Sequence, residues 1–156
     1  MKIAVFSDTH GAPAGMIKAV RENAPDHVIH LGDGMRDAER LSREFPSLPV
    51  VSVPGNCDYE STEPEYKVIS LGGIKMFLTH GHRYAVRCGK LDVLLYAAEC
   101  SGASFAMFGH THKAYFEQVE GIFVLNPGTA GQGTNRTWAL LDIGKTGEVS
   151  CEIRDI

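Results

Sequence analysis

An α/β fold of two packed β-sheets, with helices on their outer faces, is predicted by three observations. Short apolar runs alternate with helical patterns through the first half of the chain. The second half is mostly short apolar runs separated by glycines. The 156 residues suffice for one sizeable core, so a single domain over residues 1–156 is expected. Taken in order, Ile3 to Phe6, Val28 to Leu31 and Pro49 to Val53 read as buried parallel strands. Between the first two, Pro13 to Asn23 carries Met16, Ile17 and Val20 at helical spacing. Between the second and third, Met35 to Phe45 carries Leu41 and Phe45 one helical turn apart, so both segments read as amphipathic crossover helices. Tyr66 to Leu71 and Ile74 to Thr79 flank Gly72-Gly73, the signature of a hairpin, and a helix over Lys90 to Cys100 follows. Ser104 to Phe108, Tyr115 to Val119, Gly121 to Leu125, Trp138 to Ile143 and Glu148 to Ile153 are punctuated by glycines in the manner of antiparallel strands.

Composition narrows the function classes. A net charge of -4 argues against an extended nucleic-acid surface, which needs clustered Lys and Arg. Cys57, Cys88, Cys100 and Cys151 form no C-x-x-C pair, so neither a disulfide scaffold nor a zinc ribbon is expected, and a reducing cytoplasm fits best. No apolar run is long enough to span a bilayer, so no membrane partner is expected; a homo-oligomer is possible on general grounds only.

Five fragments carry the chemistry: Asp8-Thr9-His10, Gly32-Asp33-Gly34, Gly55-Asn56-Cys57-Asp58, His80-Gly81-His82 and Gly109-His110-Thr111-His112. Each offers oxygen or imidazole donors beside a glycine, and each lies near the carboxyl end of an expected strand, the edge at which α/β sheets bind ligands. Singly, each has an ordinary explanation: Asp8 a helix cap, Asp33 a tight turn, Asn56 a left-handed turn residue. Four histidines in two H-x-H units are harder to bury without a ligand. Residues two apart in an extended chain point to one side, so Asp8 and His10 can face one ion together. Asp33, isolated by glycines, can bridge two ions about 3.5 to 4 Å apart. Outside the fragments, His27 and His30 read as structural histidines, and Cys88, Cys100 and Cys151 as small buried hydrophobes. Arg83 and Arg87 follow the His80 fragment and read as exposed surface residues, and Asn126-Pro127-Gly128 as a turn that can shape the site.

In this order the fragments resemble the calcineurin-like metallophosphoesterase family over about Lys2 to Gly128. The Gly55-Asn56-Cys57-Asp58 and Asn126-Pro127-Gly128-Thr129 segments are similar to those of its small bacterial and archaeal phosphodiesterases. The resemblance implies a four-layer αββα sandwich of two mixed sheets flanked by helices. It implies one metal on Asp8, His10, Asp33 and His112 and a second on Asp33, Asn56, His80 and His110. Two divalent transition-metal ions follow, manganese first, with nickel, cobalt, iron or zinc as alternatives to the all-oxygen preference of magnesium. The implied reaction is in-line attack of a metal-bridging hydroxide on a small phosphate diester.

Many members have histidine at the place of Cys57, where it assists the leaving group; a thiol is a poor substitute, which favours diesters or activated esters. His82 and Asp58 are candidates for orienting ligands or carrying protons. A phosphomonoesterase, or a binding module like the family's retromer scaffold subunit, are the alternatives; the complete ligand set favours catalysis.

Overall fold

The chain, described here over residues 1–156 by a computed structural model, begins with β1 (Lys2–Phe6), whose alternate residues face opposite ways. Ile3 and Val5 enter the core between the two sheets. Ala4 and Phe6 face outward onto Met16, Ile17 and Val20 of α1 (Ala14–Asn23). After β2 (His27–His30), α2 (Met35–Glu44) lays Leu41 on the same outer face and leads to β3 (Val50–Ser52). Both crossovers return the chain parallel to β1, as the alternation of strand and helix requires.

The hairpin of β4 (Tyr66–Leu71) and β5 (Ile74–Thr79) opens the second sheet. Met76 and Leu78 point to the inter-sheet core and Phe77 points outward to Leu94, Leu95 and Ala98 of α3 (Asp92–Cys100). A short 3-10 helix at Val86–Cys88, without a signal in the sequence pattern, precedes α3. The remaining strands are β6 (Phe105–Met107), β7 (Tyr115–Val119), β8 (Ile122–Asn126), β9 (Thr137–Ile143) and β10 (Val149–Asp155). The sheets, each of five strands, have the orders β10-β9-β1-β2-β3 and β4-β5-β6-β8-β7. With helices packed on both outer faces this is the expected αββα sandwich of two mixed sheets. No helix is long and apolar enough to cross a membrane.

Two expectations are corrected, on strand direction and on the cysteines. The second half is not uniformly antiparallel, because β6 runs parallel to both β5 and β8, with α3 as the crossover that carries the chain back so that β5 and β6 run the same way. On a point the sequence pattern leaves open, the last two strands join the first sheet, β9 pairing antiparallel with β1 and β10 with β9. Cys88 and Cys100 are exposed, since the 3-10 segment and the end of α3 turn them outward, and Cys151 is only half-buried.

His30 behaves as a structural residue. It is fully buried, and its Nδ1 accepts the Gly32 N–H at 3.3 Å, which places the ring proton on Nε2, 3.1 Å from Thr9 Oγ1. Burial pushes its pKa from 6.5 down to about 4, against the opposing charge of Asp8. The unfolded chain takes up this proton near 6.5 and the folded chain only near 4, so this contribution to stability is complete above 6.5 and lost as the pH falls towards 4. The loss amounts to at most about 3 kcal/mol. Nitrogen NMR of the imidazole is expected to show the Nε2–H tautomer unchanged from pH 7.5 to about 5; a cationic ring at about pH 6 would refute this account.

Candidate metal centre

The five fragments follow the carboxyl ends of β1, β2, β3, β5 and β6, so both sheets deliver them to one edge. The backbone there is not extended, as the H-x-H and D-x-H spacing suggested. Asp8, His10, Asp33, His110 and His112 are five of the eight non-glycine residues with positive φ, at 56°, 46°, 52°, 64° and 58°. Asp and His tolerate this region better than most residues, yet such a concentration of strained backbone marks a site held in place by its surroundings.

Close packing forces the turns. A Cβ on Gly55 would fall on Asp33 Oδ1, and one on Gly109 would fall on Ser7 Oγ and lie 2.8 Å from Asp8 Oδ2. Only glycine lets these loops approach the carboxylates so closely.

Asp8 is fully buried. Its Oδ2 accepts the Ser7 hydroxyl at 2.6 Å and the His110 N–H at 3.0 Å. Its Oδ1 has no hydrogen-bond partner although it is buried. That oxygen stands 3.1 Å from His112 Nε2, 3.8 Å from His10 Nε2 and 3.9 Å from His80 Nε2. Asp33 accepts the Cys57 N–H on Oδ1 at 2.7 Å and turns Oδ2 to His80 Nε2 at 3.5 Å and His10 Nε2 at 3.8 Å. Donor atoms each about 2.1 Å from a shared cation lie roughly 3 to 4 Å apart, which is the spacing seen here. A buried carboxylate oxygen without a donor, ringed by imidazole nitrogens, fits a divalent cation.

His80 adds a second sign. Its Nδ1 donates to the Leu31 carbonyl oxygen at 2.7 Å, leaving Nε2 free to bind, 3.2 Å from Asn56 Oδ1. Burial opposes a charge on His80, but the Asp33 hydrogen bond and the Asp8 charge outweigh it and raise its pKa. For Asp33, burial likewise opposes ionisation and is outweighed by His80 and the Cys57 N–H, so its carboxyl stays well below the usual range. Burial first, then the charges of His80 and Arg87, lower His110 to about 4, which keeps its imidazole neutral and able to ligate.

The structure brings the expected residues together unequally. Asp8, His10 and His112 form one tight donor group and Asp8, Asp33 and His80 another, with Asn56 against His80. His110 belongs to neither tight group; its ring lies 5.0 Å from that of His80. The His82 ring lies 5.5 Å from that of His80 and 6.2 Å from that of His110, tilted against both, and its buried Nδ1 has no partner. Asp58 is held by three backbone N–H groups, those of Gly55 at 2.9 Å, Met35 at 3.0 Å and Gly34 at 3.2 Å. It therefore caps α2 and ties the Asp33 loop to the Asn56 loop instead of facing the ligands. Cys57 is exposed at the mouth of an open cleft of about 800 Å³ that His10, Asp33, Met35 and Tyr59 also border. Arg83 is engaged with Glu65 at 2.6 Å.

The expected role of the Asn126 turn in shaping the site takes a definite form, and the support from Thr129 and Ser7 had no sequence expectation. Thr129 donates its hydroxyl to the Asp8 carbonyl at 2.9 Å. Asn126 donates from Nδ2 to the Gly109 carbonyl at 2.8 Å and to Thr111 Oγ1 at 3.0 Å, fixing the His110 loop. The available signal was a buried polar residue directly after an apolar run, as at Ser7 and Asn126.

Residues 1–146 match the calcineurin-like phosphoesterase superfamily domain. A probable metallophosphoesterase of Bacillus subtilis is 33% identical over 132 residues, covering 83% of this chain and 75% of its own length. A phosphodiesterase of Methanocaldococcus jannaschii is 29% identical over 153 residues, covering 82% of this chain and 83% of its own. The crystal structure of a Streptococcus pneumoniae protein, described as a predicted phosphoesterase, superposes with a TM-score of 0.77 at 26% identity, over 99% of this chain and 97% of that one. On its sequence, its αββα fold and its clustered Asp and His donors, the chain belongs to the calcineurin-like phosphoesterase superfamily and is a metal-dependent phosphoesterase.

Proposed function

We propose that the protein is a dinuclear-metal phosphodiesterase acting on small phosphate diesters by in-line displacement. The observation that carries this reading is the pair of overlapping donor groups that share the buried Asp8, with Asp33 Oδ2 reaching His10 on one side and His80 on the other. Asp8, His10, Asp33 and His112 would hold one ion and Asp33, Asn56, His80 and His110 the other. Two such cations, manganese the first candidate, lower the pKa of water and neutralise charge on phosphoryl oxygens. Asp33 stays ionised in its buried setting and His110 stays neutral, so these two are in their ligating forms near neutral pH. The Cys57 N–H and Asp58 hold the Asp33 and Asn56 loops in register, which is orientation without chemistry.

Diester preference is supported by the Methanocaldococcus jannaschii phosphodiesterase and by Cys57. Burial and then Asp33 raise the pKa of this thiol, so it offers a leaving oxygen less acid than an imidazolium would. The test is hydrolysis of bis(p-nitrophenyl) phosphate against p-nitrophenyl phosphate by chelator-stripped protein with manganese, nickel, cobalt or zinc restored. The diester is expected to be preferred, and Cys57→His to raise monoester turnover roughly tenfold or more relative to diester. Monoester preference in the unaltered protein would overturn the diester reading.

A further inference from the structure

A third donor group lies on the same face: His10 Nε2, a carboxylate oxygen of Asp33 and Cys57 Sγ, all within 4.8 Å of one another. The Cys57 backbone is anchored by its N–H bond to Asp33 Oδ1 at 2.7 Å, while the exposed thiol accepts from Asn56 Nδ2 at 3.4 Å and lies against the Asp33 carboxylate. A soft sulfur on a fixed anchor thus sits beside two candidate donors. Asp8 Oδ1, fully buried and without a partner, points into the same space, 3.8 Å from His10 Nε2. A cation between His10 and Asp33 therefore has a thiol at hand as well as carboxylate and imidazole.

We propose that Cys57 is a metal-selective ligand, which binds thiophilic divalent ions such as zinc through its thiolate at the His10–Asp33 position and leaves harder ions such as manganese uncoordinated. The inference rests on the metal-centre reading above. Thiolates favour zinc, whereas carboxylates and water suit manganese. On binding, the S–H bond gives its proton to solvent and the sulfur electron pair forms the metal–sulfur bond, so one proton is released and no redox partner is needed. Catalytic sites keep a coordination position open; sulfur in that position closes it. Zinc is then held tightly in a slow form of the enzyme, and manganese in a fast one.

Cobalt(II) titration of the chelator-stripped full chain, followed by absorption, tests this. The unaltered protein is expected to show a sulfur-to-cobalt charge-transfer band in the near ultraviolet. Cys57→Ser should lose that band and keep the visible d–d bands that report bound cobalt, and Cys57→Ala should behave the same way. By chelator competition, zinc affinity should fall roughly tenfold or more in Cys57→Ser, with manganese affinity changed less than about twofold. Bound cobalt without a charge-transfer band, or a band that survives in Cys57→Ser, overturns the role of Cys57 and leaves the metal centre standing. Failure of the unaltered protein to bind cobalt overturns the metal centre, and this proposal with it.

Discussion

Asp33→Asn is expected to lower turnover of bis(p-nitrophenyl) phosphate by roughly a thousandfold or more. The reason lies in how the two carboxylate oxygens divide their work. Oδ1 accepts the Cys57 N–H at 2.7 Å, and an asparagine carbonyl oxygen can keep that bond, so the loop should hold its shape. Oδ2 lies 3.5 Å from His80 Nε2 and 3.8 Å from His10 Nε2; an amide NH2 there is a donor and repels a cation. The variant should fold normally by circular dichroism and bind fewer metal ions per chain by elemental analysis. Two ions per chain with undiminished activity would show that Asp33 is not the shared ligand.

The largest stability effect is expected at Phe105→Ala, about 3–5 kcal/mol. Phe105 is fully buried in β6, the middle strand of the second sheet, opposite Met76 on one side and Phe123 on the other. Its ring lies 5.6 Å from Phe123 and 6.3 Å from Phe116, so its removal opens a cavity among aromatic groups that strand pairing prevents from closing. Against a total of about 5–15 kcal/mol the loss is severe. Urea unfolding should show a lower midpoint at an unchanged slope. A change below about 1 kcal/mol would mean that the sheets collapse into the space.

Which parts of this molecule can be read from the sequence follows from the range of the interactions involved. Runs such as Ile3 to Phe6 announce their strand because burial on both faces is a local demand on composition. The Gly72-Gly73 hairpin is legible for the same reason. Sheet membership is not local: nothing within Trp138 to Ile143 says that it lies against β1 and not beside β8. The ligands were legible because metal donors come from a short list of residue types beside glycine. Their division came from the family resemblance and not from the spacing, since it is left-handed turns at His110 and His112 that send the two rings to different partners, His80 and Asp8. From sequence, Asp58 is a candidate to orient ligands or carry a proton; its oxygens meet backbone N–H groups, an orienting contact that no sequence pattern displays.

The pairing of β1 with β9 has a consequence for the order of events in making this protein. Ile3 lies opposite Leu141, so the strand that leads into Asp8 and His10 is flanked on one side by residues far along the chain. Loop closure over such a separation is slow relative to local helix and hairpin formation. During synthesis, the strand that presents Asp8 waits with one edge unpaired until residues 137–143 have been made. The centre is therefore completed near the end of folding, and a growing chain has no finished site in which to trap an ion.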